Sequence, residues 1–197
     1  MNIETEIKVE LPDYQSYIKI YNSLGLPEKY LSQENIYFDT ADQLLHRLGV
    51  MFRLRIENGE YIFTVKSGST LIAGVQKAIE KELYVPAVNC SIDYLQKTLK
   101  DLCTVEFPPE ILLHKIGSML NKRVVYNNFF GAELELDHMQ IFDDHFFEIE
   151  IETTNIDLYQ LKIKELLQQN QIDYQPSCSK YSRFLKLLML KQSLKSV

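Results

Sequence analysis

The chain has 197 residues, 46% of them hydrophobic and 24% charged, with a formal net charge of -6 at pH 7. That length can bury a sizeable core and the composition is that of a soluble globular protein; the acidic balance argues against general nucleic-acid affinity, and no apolar run approaches the roughly 18 residues of a membrane span. Cys90, Cys103 and Cys178 are an odd number without metal-type spacing, which indicates neither a disulfide framework nor a zinc site. The start, Met1-Asn2-Ile3-Glu4, lacks the basic residues and apolar core of a signal peptide, so a cytoplasmic location is expected.

The first element is Ile3 to Leu11, which alternates strictly. Ile3, Ile7, Val9 and Leu11 share one strand face with Thr5, and Glu4, Glu6, Lys8 and Glu10 share the other. Asp13 is a plausible cap for a helix through Leu24, ended by Gly25 and Pro27. A short aromatic strand, Asn35 to Thr40, follows, and Leu44 to Gly49 reads as a loop or a single turn. Phe52 to Glu57 alternates again, with Arg53 and Arg55 on one face. Asn58-Gly59 signals a hairpin into Tyr61 to Lys66. Ser67 to Gly74 reads as a mobile Gly/Ser-rich loop, and Ala78 to Val85 as a strand with Glu80 and Glu82 on one face.

Ser91 can cap a helix carrying Leu95, Leu99 and Leu102. Pro108-Pro109 predicts the start of another, with Ile111, Leu112, Ile116 and Leu120. Strands resume at Lys122 to Tyr126, Ala132 to Asp137 and Phe146 to Glu152. Helices are predicted over Leu158 to Gln169, capped by Asn155, and over about Ser179 to Lys191, with Lys180 at its start. No linker divides the chain, so a single domain over residues 1–197 is expected.

About eight sequential strands suggest an antiparallel sheet that closes. Each has an apolar face and a charged face, and the helices carry apolar stripes that need a partner. Packing the helices outside, against the apolar faces, leaves the charged faces lining the inside of a barrel. The charges sort by sign. Glu4/Glu6, Glu80/Glu82, Glu133/Glu135/Asp137 and Glu148/Glu150/Glu152 form acidic rows, while Arg53/Arg55, Lys66 and Arg123 are basic. Like charges repel across a sheet. Carboxylate rows suit a hard divalent cation, Mg²⁺ or Mn²⁺, and Arg and Lys suit a phosphate-bearing anion. A metal-bound polyphosphate site is one reading of the pattern, and a plain solvated sheet is the other.

The residues also carry a family resemblance. Glu4-x-Glu6-x-Lys8 resembles the ExExK signature of the CYTH family, the triphosphate tunnel metalloenzymes. In order along the chain, Tyr37-Phe38-Asp39-Thr40, Arg53-x-Arg55, Thr64-Val65-Lys66, Glu80-Lys81-Glu82, Lys122-Arg123, Glu135-Leu136-Asp137, Glu148-Ile149-Glu150 and Lys180-Tyr181 are similar to the family's later strands and C-terminal lysine. The resemblance implies an α+β fold, an eight-stranded antiparallel β-barrel with helices packed on the outside. It implies metal-dependent hydrolysis of a triphosphate, with inorganic triphosphate ranked first. Thiamine or nucleoside triphosphates come second and a class IV-type adenylate cyclase third. The chain has no Trp of the kind that vertebrate thiamine triphosphatases set against the thiamine ring. A non-catalytic polyphosphate-binding module is the alternative of another class, and four glutamates speak against it.

On this resemblance Glu4, Glu6, Glu148 and Glu150 are the metal ligands, for Mg²⁺ or Mn²⁺. Lys8, Arg53, Arg55, Lys66, Arg123 and Lys180 clamp the phosphates. Glu135 or Glu82 orients the attacking water or a second metal, and Lys8 tunes that water. The expected partner is a small-molecule triphosphate, without nucleic acid or membrane, the protein being a monomer or homodimer. Glu10 and Glu152 read as strand-end charges, Asp137 stands between the tunnel and its mouth, and Asp39 reads as a turn-shaping residue. His46, His138 and His145 lack ligand spacing, and His114 reads as structural.

Overall fold

Strict alternation makes β1 (Asn2–Leu11), which buries Ile7, Val9 and Leu11 on one face. Asp13 ends it. Its carboxylate accepts a hydrogen bond from Ser16 N at 2.7 Å, the N-cap of α1 (Tyr14–Leu24). The computed structural model describes residues 2–108 and 110–194. After α1 come β2 (Lys29–Asp39), α2 (Leu44–Arg47), β3 (Met51–Glu57), β4 (Glu60–Ile72), β5 (Val75–Val85) and α3 (Ile92–Leu102). The chain continues through β6 (His114–Phe129), β7 (Ala132–Ile141), β8 (Asp144–Glu152), α4 (Ile156–Gln169), β9 (Gln175–Pro176) and α5 (Lys180–Leu194).

Hydrogen-bonded neighbours run β5-β4-β3-β2-β6-β7-β8-β1-β9, and β5 also pairs with β1. The ladder of the eight long strands therefore returns to its own start, which defines an eight-stranded antiparallel β-barrel. Asn58 and Gly59 turn the β3–β4 hairpin with φ of 50° and 85°, the left-handed pair that a two-residue type I′ connection needs.

Residue contacts gather the chain into two compact units, one of Met1–Glu4, Leu31–Thr70 and Lys77–Leu120, the other of Thr5–Tyr30, Leu71–Gln76 and Asn121–Val197. In the first, Leu45 of α2 and Leu95, Leu99 and Leu102 of α3 pack on Phe52, Leu54, Phe63 and Val65 of the sheet. Burying each of these leucines contributes about 2 kcal/mol. In the second, Tyr17 and Ile20 of α1 and Tyr159, Ile163 and Leu167 of α4 pack on Ile7, Val9, Leu134, Leu136, Ile149 and Ile151. In both, the helices cover the apolar face of the sheet and the charged residues project from the opposite face. Among the described residues no helix is long and apolar enough to cross a membrane.

Two sequence expectations are corrected. The helix expected from Pro108-Pro109 is absent among the described residues, and Pro109 lies outside them. The stretch enters β6 instead, with Ile111 and Leu113 buried and Leu112 exposed. Positions 112, 116 and 120 are spaced by four, which fits one face of a helix and one face of a strand equally. Ser67 to Gly74 is also no loop, since β4 continues to Ile72 and only Ala73 and Gly74, with φ of 50° and 80°, turn into β5. Pairing with β5 outweighs the weak strand preference of Gly68 and the serines. Gly74 is required there. Its carbonyl accepts from Lys8 N at 2.7 Å, and a Cβ at Gly74 would lie 2.7 Å from the Lys8 carbonyl oxygen.

Candidate functional site

In the first unit, strand register builds the site. Met51, Arg53 and Arg55 of β3 face Lys66, Thr64 and Ile62 of β4, so Arg53, Arg55 and Lys66 project from one face. Lys66 Nζ lies 2.8 Å from Glu4 Oε2 and also pairs with Glu80, whose other oxygen stands 3.6 Å from Arg53 Nη2. Arg55 Nε donates to Asn35 Oδ1 at 3.1 Å, and the Thr64 hydroxyl donates to Glu82 Oε1 at 3.3 Å. Glu80 is buried while Glu82 is exposed. Asp39 caps α2, its carboxylate accepting from the backbone N–H groups of Thr40, Leu45 and His46 at 2.7, 2.9 and 3.1 Å. It shapes the turn, as its sequence context suggested.

In the second unit, the ladder sets carboxylates directly opposite one another. Glu135 faces Glu150, Asp137 faces Glu148, Glu148 faces Glu10, and Lys8 faces Glu150. Such a stack is destabilising unless cations lie between its members. Lys8 Nζ pairs with Glu150 and lies 2.8 Å from Glu6 Oε2. Arg123 grips Asp137 through Nε and Nη2 at 2.8 and 2.7 Å, reaches Glu150 Oε2 at 2.7 Å and pairs with Glu135. Lys180 Nζ lies 2.8 Å from Asp137 Oδ2, 2.5 Å from Glu148 Oε1 and 2.7 Å from Glu150 Oε1. Lys8, Arg123, Asp137, Glu148, Glu150 and Lys180 are all buried.

Arg183, one helical turn beyond Lys180, was not singled out from the sequence. It donates to both oxygens of Glu10 at 3.1 and 3.2 Å and to Ser177 Oγ at 2.9 Å, and the Ser177 hydroxyl donates to Glu148 Oε2 at 2.9 Å. The signal available was the Lys180-x-x-Arg183 spacing, which sets both cations on one helix face. Glu10, expected to be a plain strand-end charge, is Arg183's partner, whereas Glu152 is exposed. His138 and His145 lie apart from these contacts. Their rings hydrogen-bond at 3.0 Å across the β7–β8 hairpin, beside Phe147.

Burial and charge act against each other in the second cluster. Burial alone would lower the Lys8 pKa, but Glu150 and Glu6 raise it to about 12. Burial would raise Asp137, but Arg123 and Lys180 hold it down at about 2. Glu150 is likewise held low against burial by Lys180, Lys8 and Arg123. Glu148 is different, since burial lifts it above the usual carboxylate range. Burial also lifts Glu135, to about 7, despite Arg123 beside it.

These residues fit a hard divalent cation. Asp137, Glu148 and Glu150 each offer an oxygen, all within 4.8 Å of one another. The ion pairs described here join six carboxylates (Glu6, Glu10, Glu135, Asp137, Glu148, Glu150) to four cations (Lys8, Arg123, Lys180, Arg183), a formal surplus of two negative charges. Glu148 Oε1, fully buried, accepts no hydrogen bond. Glu148 and Glu150 thus stand together with Asp137. Glu6 joins that unit through Lys8, and Glu4 lies in the first unit on Lys66.

The sheet closes on itself, and its charged face interleaves carboxylates with cations, two of which, Lys180 and Arg183, come from α5. The chain matches the family model of the CYTH domain over residues 2–185, and it belongs to that family. It is 27% identical over 193 residues to a Bacillus subtilis (strain 168) protein described as "Putative triphosphatase YjbK", covering 92% of this chain and 94% of that one. Among solved structures it is similar to HpAC1 from Hippeastrum, a "putative adenylyl cyclase" described as having a dominant triphosphatase activity. That match has a TM-score of 0.80 and 25% identity over 93% of this chain and 95% of the other. A "putative adenylate cyclase" from Bacillus halodurans shares the fold, with a TM-score of 0.67 and 23% identity over 93% of this chain and 99% of the other.

Proposed function

We propose that this protein hydrolyses a triphosphate, inorganic triphosphate first among substrates, with Mg²⁺ or Mn²⁺. The observation that carries the reading is the burial of so many paired charges. Arg53, Glu80, Lys8, Arg123, Asp137, Glu148, Glu150 and Lys180 all lie at or below 9% exposure. Buried ion pairs contribute little net stability, because desolvation offsets their attraction. Charges kept at that cost are explained by a ligand that uses them. Membership of the CYTH family and the triphosphatase descriptions of YjbK and HpAC1 support the same reaction.

In this reading Arg53, Arg55, Lys66, Lys8, Arg123 and Lys180 bind phosphate oxygens and neutralise charge that develops at the phosphorus under attack. Glu148 and Glu150, with Asp137 beside them, hold the cation, and Glu4 and Glu6 complete the metal set that the family pattern implies. A divalent cation held there would supply Lewis-acid stabilisation of the charge on the phosphates. Glu135, raised to about 7, is suited to accept the proton of the attacking water at neutral pH, and Glu82 is the alternative base. Lys8 fixes the orientation of Glu150 and Glu6. The reaction breaks the terminal phosphoanhydride bond and releases orthophosphate and pyrophosphate.

The test is phosphate release from inorganic triphosphate, ATP and thiamine triphosphate, each with Mg²⁺, Mn²⁺ or EDTA. Metal-dependent release from inorganic triphosphate, far above the other two, is the expected result. Pyrophosphate with a cyclic nucleotide from ATP would instead make this a cyclase. No turnover, with triphosphate still raising the melting temperature, would make it a binding module.

A further inference from the structure

The three carboxylates that fit a divalent cation already hold a cation of the chain's own. Lys180 Nζ stands within 2.8 Å of one oxygen from each of Asp137, Glu148 and Glu150. We propose that Lys180 is a displaceable counterion, which occupies the cation position while the site is empty and leaves it for the triphosphate when a divalent cation enters. This rests on the reading that the cluster takes such a cation, and it adds a coupling between cation and substrate.

The surrounding contacts support it. An ammonium meets oxygens at about 2.7–2.9 Å and Mg²⁺ at about 2.0–2.1 Å, so the two cannot share the same three oxygens. Each carboxylate also has partners other than Lys180, and Arg123 Nη2 ties Asp137 Oδ2 to Glu150 Oε2 at 2.7 Å each. Arg123 and Asn121 hold Asp137, with Asn121 Nδ2 3.0 Å from Oδ1. Lys8 and Arg123 hold the two oxygens of Glu150. Ser177, itself held by Arg183, donates to Glu148 Oε2. That leaves Glu148 Oε1, buried and accepting no hydrogen bond although Lys180 is at ion-pair distance. The carboxylate frame therefore survives the departure of Lys180.

Lysine suits the role. Its ammonium is a point charge on a flexible four-carbon stem, which moves without losing a two-pronged geometry as an arginine would. Lys180 is also the first residue of α5, while Arg183 anchors the same helix to Glu10 one turn on. The stem can swing while the helix stays. A cation that displaces Lys180 creates a free buried ammonium, and the triphosphate satisfies it. Each ligand then strengthens the other.

The experiment measures Mn²⁺ binding by electron paramagnetic resonance and calorimetry, with and without inorganic triphosphate, in the wild type and in Lys180→Gln. The variant is expected to bind Mn²⁺ at least about tenfold more tightly than wild type when no triphosphate is present. Triphosphate should tighten Mn²⁺ binding in the wild type and much less in the variant. Wild-type binding with an equal or weaker affinity in Lys180→Gln overturns the counterion role and leaves the cation reading standing. No Mn²⁺ binding by either protein, with or without triphosphate, overturns both. If the variant does not fold, the wild type decides alone, through reductive methylation of Lys180 followed by peptide mass spectrometry. Mn²⁺ should speed the modification relative to EDTA, and an unchanged or slower rate refutes displacement.

Discussion

Arg123 and Asp137 meet through two parallel hydrogen bonds, Nε to Oδ1 at 2.8 Å and Nη2 to Oδ2 at 2.7 Å, with the carboxylate fully buried. This fork is the contact around which Glu135, Glu150 and Lys180 are arranged. Removing one partner strands the other charge. Arg123→Gln should lower the unfolding free energy by about 3–5 kcal/mol. Arg123→Lys should recover little of it, because a point charge cannot reproduce the fork. Urea unfolding of both single variants, Asp137→Asn and the double variant gives the coupling energy. A coupling under about 0.5 kcal/mol would mean that the pair does not act as a unit.

The metal assignment predicts a separation of turnover from binding. Glu148→Gln with Glu150→Gln, and separately Glu4→Gln with Glu6→Gln, should abolish metal-dependent phosphate release yet leave measurable triphosphate affinity by calorimetry. Full activity in either double variant would remove those residues from the metal set. Arg53→Ala should raise the KM for triphosphate at least tenfold, about 1.4 kcal/mol, with an unchanged KM placing Arg53 outside the binding set.

Gly74 predicts an effect that starts in the backbone, at its contact with Lys8. Its φ of 80° and the 2.7 Å from an added Cβ to the Lys8 carbonyl oxygen leave no room for a side chain. Gly74→Ala should destabilise by more than about 1 kcal/mol and, through Lys8, reduce activity as well. A melting temperature equal to wild type would show that the turn relaxes without strain.

The charged cluster sets the pH dependence. Asp137 sits at about 2 in the fold against an ordinary 3.8, so its contribution is complete above pH 3.8 and is lost as the pH falls toward 2. Lys8 sits at about 12 against 10.5, so its contribution is complete below pH 10.5 and is lost as the pH rises through 12. Glu148 runs the other way on the acid side, because burial already disfavours its charged form, and it blunts the acid loss. Glu135, at about 7 in the fold against an ordinary 4.5, acts in the same sense, so melting temperature should fall as the pH rises from 4.5 through about 7 and then hold level up to 10.5. Asp137→Asn should remove part of the acid step, with Glu150 carrying the rest.

Activity has its own pH signature. With Glu135 at about 7, turnover should rise as the pH passes through 7 and the carboxylate ionises. Glu135→Gln should lower the rate and flatten that rise. A wild-type profile already flat from pH 6 to 8 would assign the proton to another group.

The local sequence determined which residues share a strand face, because a period of two is imposed by the backbone alone. Ile7, Val9 and Leu11 against Glu6, Lys8 and Glu10 needed no partner to be read, and the same holds for Arg53 and Arg55. The Asn58-Gly59 turn and the Asp13 and Asn155 caps were legible for the same reason, since their chemistry is complete within four residues. Spacing that two periods share was not legible, as Leu112, Ile116 and Leu120 showed. Only the tertiary structure decided which charge meets which. Asp137 joined Glu148 and Glu150 through the β7–β8 register. Arg183 reached Glu10 across 173 residues of chain, and Lys180 came to rest among three carboxylates. A charged side chain states its sign in the sequence, but its partner is chosen by register and helix docking, which are settled by burial of the opposite, apolar face.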